Sequence, residues 1–163
     1  MNDTSPQLKD IYRRVSRRKV LSECGGIYLT GLLGSVQAAS QTQSLIQPIE
    51  NTDAAFIKRA FNLRNLSSEL GDQAYGAVIV HSGKIIGESM SRVILDRDPT
   101  AHAEMSALRD AAERFGSKAL RGAILYSSNH PCSMCQAAAD WVGIASMIYG
   151  HDVTNGGPPQ TCG

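Results

Sequence analysis

A chain of 163 residues, 42% apolar and 19% charged, has room for one domain with a sizeable core and is too apolar for a disordered one. Its formal net charge of +1 divides unevenly: residues 1–38 hold six Lys or Arg against three acids, which leaves ten basic and twelve acidic residues, a net of −2, from 39 onward. That larger portion lacks the electrostatic footprint of a nucleic-acid binder.

The first 38 residues read as an export signal. Ser16-Arg17-Arg18-Lys19-Val20-Leu21 has the twin-arginine form, a moderately apolar, glycine-rich run follows over 25–36, and small residues offer cleavage after Ala38. The apolar run is too short to serve as a membrane anchor. The expectation is a periplasmic or exported protein, with a cytoplasmic protein carrying a basic extension as the alternative. Cys24 precedes the apolar run instead of following it, which argues against lipidation there.

Residues 39–51 are polar and read as a linker, so the domain proper is expected over 52–163. Apolar residues at helical spacing predict a helix over 53–70, closed by Gly71. A continuous apolar run over 75–80, a Ser82-Gly83 turn and a return strand over 84–90 predict a hairpin. A loop over 92–97 leads to a helix over 102–115, with Thr100 as its cap and Gly116 at its close. A strand over 123–126 precedes Pro131, which suits the first turn of a helix over 132–142. A last strand covers 145–149, and the Gly/Pro-rich stretch over 154–159 is expected to be irregular. Strands alternating with helices after an initial hairpin predict a three-layer α/β/α sandwich.

Two of these helix starts carry chemistry. One is Pro99-Thr100-Ala101-His102-Ala103-Glu104, the other Pro131-Cys132-Ser133-Met134-Cys135. Cysteines three apart on a helix share a face, and the helix N-terminus is expected to favour thiolate over thiol. Two thiolates and one neutral imidazole, His102, make a three-ligand zinc site with one position open to water. Glu104, two residues beyond His102, is badly placed as a fourth ligand and well placed to move that water's proton. A disulfide or redox pair would explain the cysteines alone but would use neither His102 nor Glu104. His81 and His151 read as surface residues at strand ends, Trp141 as core, and Cys162 as incidental.

The H-x-E and P-C-x-x-C pair, with Gly76-Ala77-Val78-Ile79-Val80 and Leu125-Tyr126-Ser127-Ser128, resembles the zinc-dependent cytidine and deoxycytidylate deaminase-like superfamily, in particular its guanine deaminase and tRNA adenosine deaminase branch. The resemblance covers roughly residues 50–151. It implies a mixed sheet with both metal-bearing helices side by side on one face, one zinc per chain, and Glu104 as the proton shuttle. It also implies base contacts from the Ser91 side chain and the Ala103 backbone, with His130 and Pro131 at the substrate site. Relatives usually carry Glu where this chain has His130 and Asn where it has Ser91, and they continue for a further strand and helices, so the domain reads as C-terminally short.

The function expected is zinc-dependent hydrolytic deamination of a free nucleobase or nucleoside, a guanine-like purine first and cytosine next. The expected assembly is a homodimer with no nucleic-acid partner. A tRNA adenosine deaminase is the alternative enzyme, and an inactive zinc-stabilised scaffold or binding module is the alternative of another class.

Overall fold

The computed structural model describes residues 44–160. The expected export signal and Cys162 lie outside those residues.

Helix α1 (Asp53–Glu69) starts at Thr52, whose hydroxyl accepts the Ala55 amide at 3.2 Å, with Asp53 in the first turn where the helix dipole favours an acid. Its buried stripe of Phe56, Ile57, Ala60, Leu63 and Leu66 recurs at helical spacing. The hairpin strands are β1 (Gly76–His81) and β2 (Lys84–Met90), and α2 (Ala103–Phe115) follows a loop. A single 3₁₀ turn (Ser117–Leu120), absent from the sequence-based expectation, leads to β3 (Ile124–Ser127). Helix α3 (Ser133–Val142) and strands β4 (Ser146–Tyr149) and β5 (Thr154–Asn155) complete the elements among the described residues.

The sheet order is β2-β1-β3-β4-β5. Strand β1 lies antiparallel to both β2 and β3, β3 runs parallel to β4, and β5 returns antiparallel, so the sheet is mixed as expected. Alternation along β1 divides the core. Ala77 and Ile79 join α2 and α3 residues such as Ala107, Leu108 and Ala139 on one face, while Val78 and Val80 join α1 residues Phe56, Leu63 and Leu66 on the other. Both faces are thus covered by helices, the three-layer arrangement the alternation of elements predicted. Gly87 lets α2 approach β2 closely, since a Cβ there would stand 2.6 Å from the Ala111 amide nitrogen and 2.7 Å from the Ala107 carbonyl oxygen.

The described part of the polar stretch before α1 is docked. Gln47 donates to the Ile85 carbonyl at 2.8 Å and accepts the Ile85 amide at 2.9 Å, so one side chain satisfies the outer edge of β2 at that residue.

Three expectations are corrected. Thr100 does not cap α2: its hydroxyl donates to Asp98 at 2.7 Å, and His102 occupies the cap position without a side-chain cap bond. Thr154–Asn155 is regular, because β4 offers an open edge and pairs Ile148 with Asn155 and Tyr149 with Thr154. Trp141 is not core but 85% exposed. Among the described residues no helix is long and apolar enough to cross a membrane.

Candidate active site

His102 is the residue immediately before α2 and Cys132 the residue immediately before α3, so both enter at helix starts. Cys135 follows in the first turn of α3, which returns its sulfur to the same side. The strand ends meet at this end of the sheet: the Ser128 amide donates to the Gly76 carbonyl at 2.9 Å, and the Gly76 amide donates to the Ser128 hydroxyl at 3.2 Å.

The three donor atoms converge. Cys132 Sγ and Cys135 Sγ stand 3.6 Å apart, and His102 Nδ1 lies 3.6 Å from the first and 3.8 Å from the second. Ligands bound at ~2.3 Å (sulfur) and ~2.0–2.1 Å (nitrogen) around a tetrahedral zinc stand about 3.6–3.8 Å from one another. The triangle therefore has the edges zinc needs, and His102, Cys132 and Cys135 are positioned to bind a metal.

Burial pushes the Cys135 thiol well above the ordinary thiol range, with the Glu104 carboxylate and Cys132 adding to the shift. In the metal-free site burial, with the neighbouring negative charge behind it, works against the thiolate that the helix start favours. A metal ion reverses that balance and deprotonates the thiol that coordinates it.

Glu104 is 5% exposed and stands beside the triad. Its Oε2 accepts from Cys135 Sγ at 3.5 Å, and its Oε1 accepts from the Ser127 hydroxyl at 2.8 Å. The cluster thus joins three metal donors to one carboxylate that is held but not coordinating.

The expected substrate contacts are placed less uniformly. Ala103 and Pro131 are buried against the triad's own helices, while His130 is exposed and packs edge-on against Tyr149, ring centres 4.6 Å apart. Ser91 is fully buried, and its hydroxyl donates to Asp72 at 2.8 Å. Asp72 also accepts the amides of Gln73, Ile94 and Leu95 at 2.7 to 2.9 Å, so Ser91 belongs to the anchor of the loop after β2. His151 is exposed as expected and stacks on Phe61 at 3.9 Å, whereas His81 is half-buried with Nδ1 2.7 Å from the Ala119 carbonyl oxygen. An open groove lined by Leu45, Pro48, Ile86 and Phe115 holds none of the predicted site residues.

Two contributors were missed from sequence. Asp72 carried no signal, standing in a polar turn after Gly71. Ser127 was within reach: Tyr126 is an aromatic of the α1 face, so strand alternation turns Ser127 toward α2.

A family model described as the cytidine and deoxycytidylate deaminase zinc-binding region matches residues 50–151. Guanine deaminase of Bacillus subtilis is 39% identical over 102 residues, 61% of this chain and 65% of the relative. A tRNA-specific adenosine deaminase of Buchnera aphidicola is 36% identical over 107 residues, 66% of each protein. The solved structure of the Bacillus subtilis guanine deaminase aligns with a TM-score of 0.56 at 41% identity, covering 58% of this chain and 61% of that one. The chain thus spans just under two thirds of the length of these two curated relatives.

Proposed function

The chain belongs to the cytidine and deoxycytidylate deaminase zinc-binding family, and from that premise we propose that it is a hydrolytic deaminase of a free nucleobase or nucleoside, a guanine-like purine first and cytosine next. The observation that carries this reading is the Glu104 carboxylate, buried against the three metal donors with Oε2 on the Cys135 side. A purely structural metal site needs no proton carrier there.

Zinc, when bound, supplies Lewis acidity that brings the pKa of a bound water to ~7. His102, Cys132 and Cys135 would hold it. Glu104 takes one proton from the attacking water as the new C–O bond forms at the amino-bearing ring carbon. It gives that proton to the adjacent ring nitrogen. The remaining hydroxyl proton passes by the same carboxylate to the exocyclic nitrogen, the C–N bond breaks, and ammonia leaves with a carbonyl in its place. One group serves as base and acid because the transfers are sequential.

Charge supports a small neutral substrate. From residue 39 onward the net charge is −2, whereas an RNA-modifying enzyme draws much of its affinity from Lys and Arg contacts to phosphates. The similarity to tRNA-specific adenosine deaminases supports the second reading, in which the reacting base is part of a tRNA.

The test is ammonia release from guanine, adenine, cytosine, their nucleosides and tRNA, each at low and high ionic strength. The expected result is turnover of a free purine at a rate indifferent to salt. Turnover confined to tRNA and falling steeply with salt would establish the second reading, and silence on every substrate would favour an inert zinc scaffold.

A further inference from the structure

We propose that Ser127, at the end of β3, is the positioning residue for Glu104, fixing which carboxylate oxygen faces the metal donors. The proposal rests on the deaminase reading for its kinetic consequence and on the hydrogen bonding around Ser127 for its substance.

Ser127 is fully buried, and its backbone is fixed on both sides, in register with Ala77 of β1 and Tyr149 of β4. Its hydroxyl has a single proton to give. The hydroxyl oxygen accepts the Asn129 amide at 3.4 Å, and its proton goes to Glu104 Oε1 at 2.8 Å. The sheet therefore holds one oxygen of Glu104 and leaves Oε2 to the side of the triad, 3.5 Å from Cys135 Sγ. Rotation about the last side-chain bond of Glu104 is soft by itself, because torsions next to a planar carboxylate are broad and two-fold. The Ser127 bond removes that freedom. A proton carrier that must accept and return protons at successive positions depends on this orientation, and a misplacement of about 1 Å can cost a factor of ~10² in rate.

The structure separates this role from packing. A serine that only filled space would be replaced by alanine with little consequence, and one that held the fold together would show in stability and metal content. The bond to Glu104 predicts a different pattern.

The decisive comparison sets Ser127→Ala beside Ser127→Thr in zinc-loaded protein. Ser127→Ala is expected to lower kcat by roughly 10- to 100-fold with KM and zinc per chain close to wild type and Tm lowered by only a few degrees for the unpaired Glu104 oxygen, and Ser127→Thr, which keeps the hydroxyl, is expected to recover most of the loss. A kcat for Ser127→Ala within twofold of wild type would overturn the proposal, as would a fall accompanied by zinc loss or a raised KM. A crystal structure of zinc-loaded Ser127→Ala supplies the arm that needs no turnover. Glu104 is expected there in more than one carboxylate orientation, and a single wild-type orientation sinks the proposal even if no substrate of the wild type is found. Inactivity of the wild type would count against the deaminase reading alone.

Discussion

Glu104→Ala is expected to abolish deamination while leaving zinc and fold in place. The carboxylate is not among the three converging metal donors, and the hydrogen bond that it keeps beside a coordinated Cys135 thiolate, from the Ser127 hydroxyl, lies at its tip. Alanine at the second position of α2 keeps the helix, since no propensity is lost. The variant leaves the Ser127 hydroxyl without its acceptor, a cost of about 1–3 kcal/mol in stability. Activity is a different matter, because general acid–base catalysis alone contributes ~10²–10⁴ and Glu104 acts in more than one transfer. A fall in kcat of at least three orders of magnitude, at about one zinc per chain, is the outcome to look for. Turnover near the wild-type rate would remove Glu104 from the proton path.

Cys135→Ala should have the opposite signature, losing the metal first and activity as a consequence. Cys135 is fully buried and supplies one of the three donors that converge at the site, so alanine there leaves only His102 and Cys132 of that set. A ligand that binds only the folded state stabilises it by mass action, about 2.7 kcal/mol when free zinc exceeds its dissociation constant a hundredfold. Wild-type protein should therefore melt several degrees higher with zinc than after chelation, whereas Cys135→Ala should melt at one temperature in both. Metal analysis after dialysis should find close to no zinc in the variant. Full zinc retention by Cys135→Ala would strike Cys135 from the ligand set.

The parts of this architecture that local chemistry dictates were legible from sequence. Pro131 before Cys132 marks a helix start, and a spacing of three returns both sulfurs to one side, which is where they stand at 3.6 Å. The continuous apolar run over 75–80 announced the first strand of a hairpin, and β1 is there, buried from Gly76 to Val80. What tertiary context decides was not legible. Nothing intrinsic to Thr154–Asn155 makes a strand; the open edge of β4 does. Thr100 has the chemistry of a cap, but Asp98 takes its hydroxyl and the helix begins beyond reach. The raised Cys135 thiol follows first from burial in the folded core and then from Glu104 arriving from another helix, neither of which a reading of the α3 segment alone contains. Trp141 was recoverable: it lies two residues past the buried Ala139, about 200° around the helix, on the face that Cys135 and Ala139 do not share.

The hydrolytic claim itself comes down to where the product's oxygen originates. Zinc-loaded protein incubated with guanine in ¹⁸O-labelled water should release ammonia and the corresponding keto base in equal amounts, with the label at the carbon that carried the amino group. Protein carrying a full complement of zinc that releases no ammonia from any free base or nucleoside, or a product without solvent oxygen, would contradict the account.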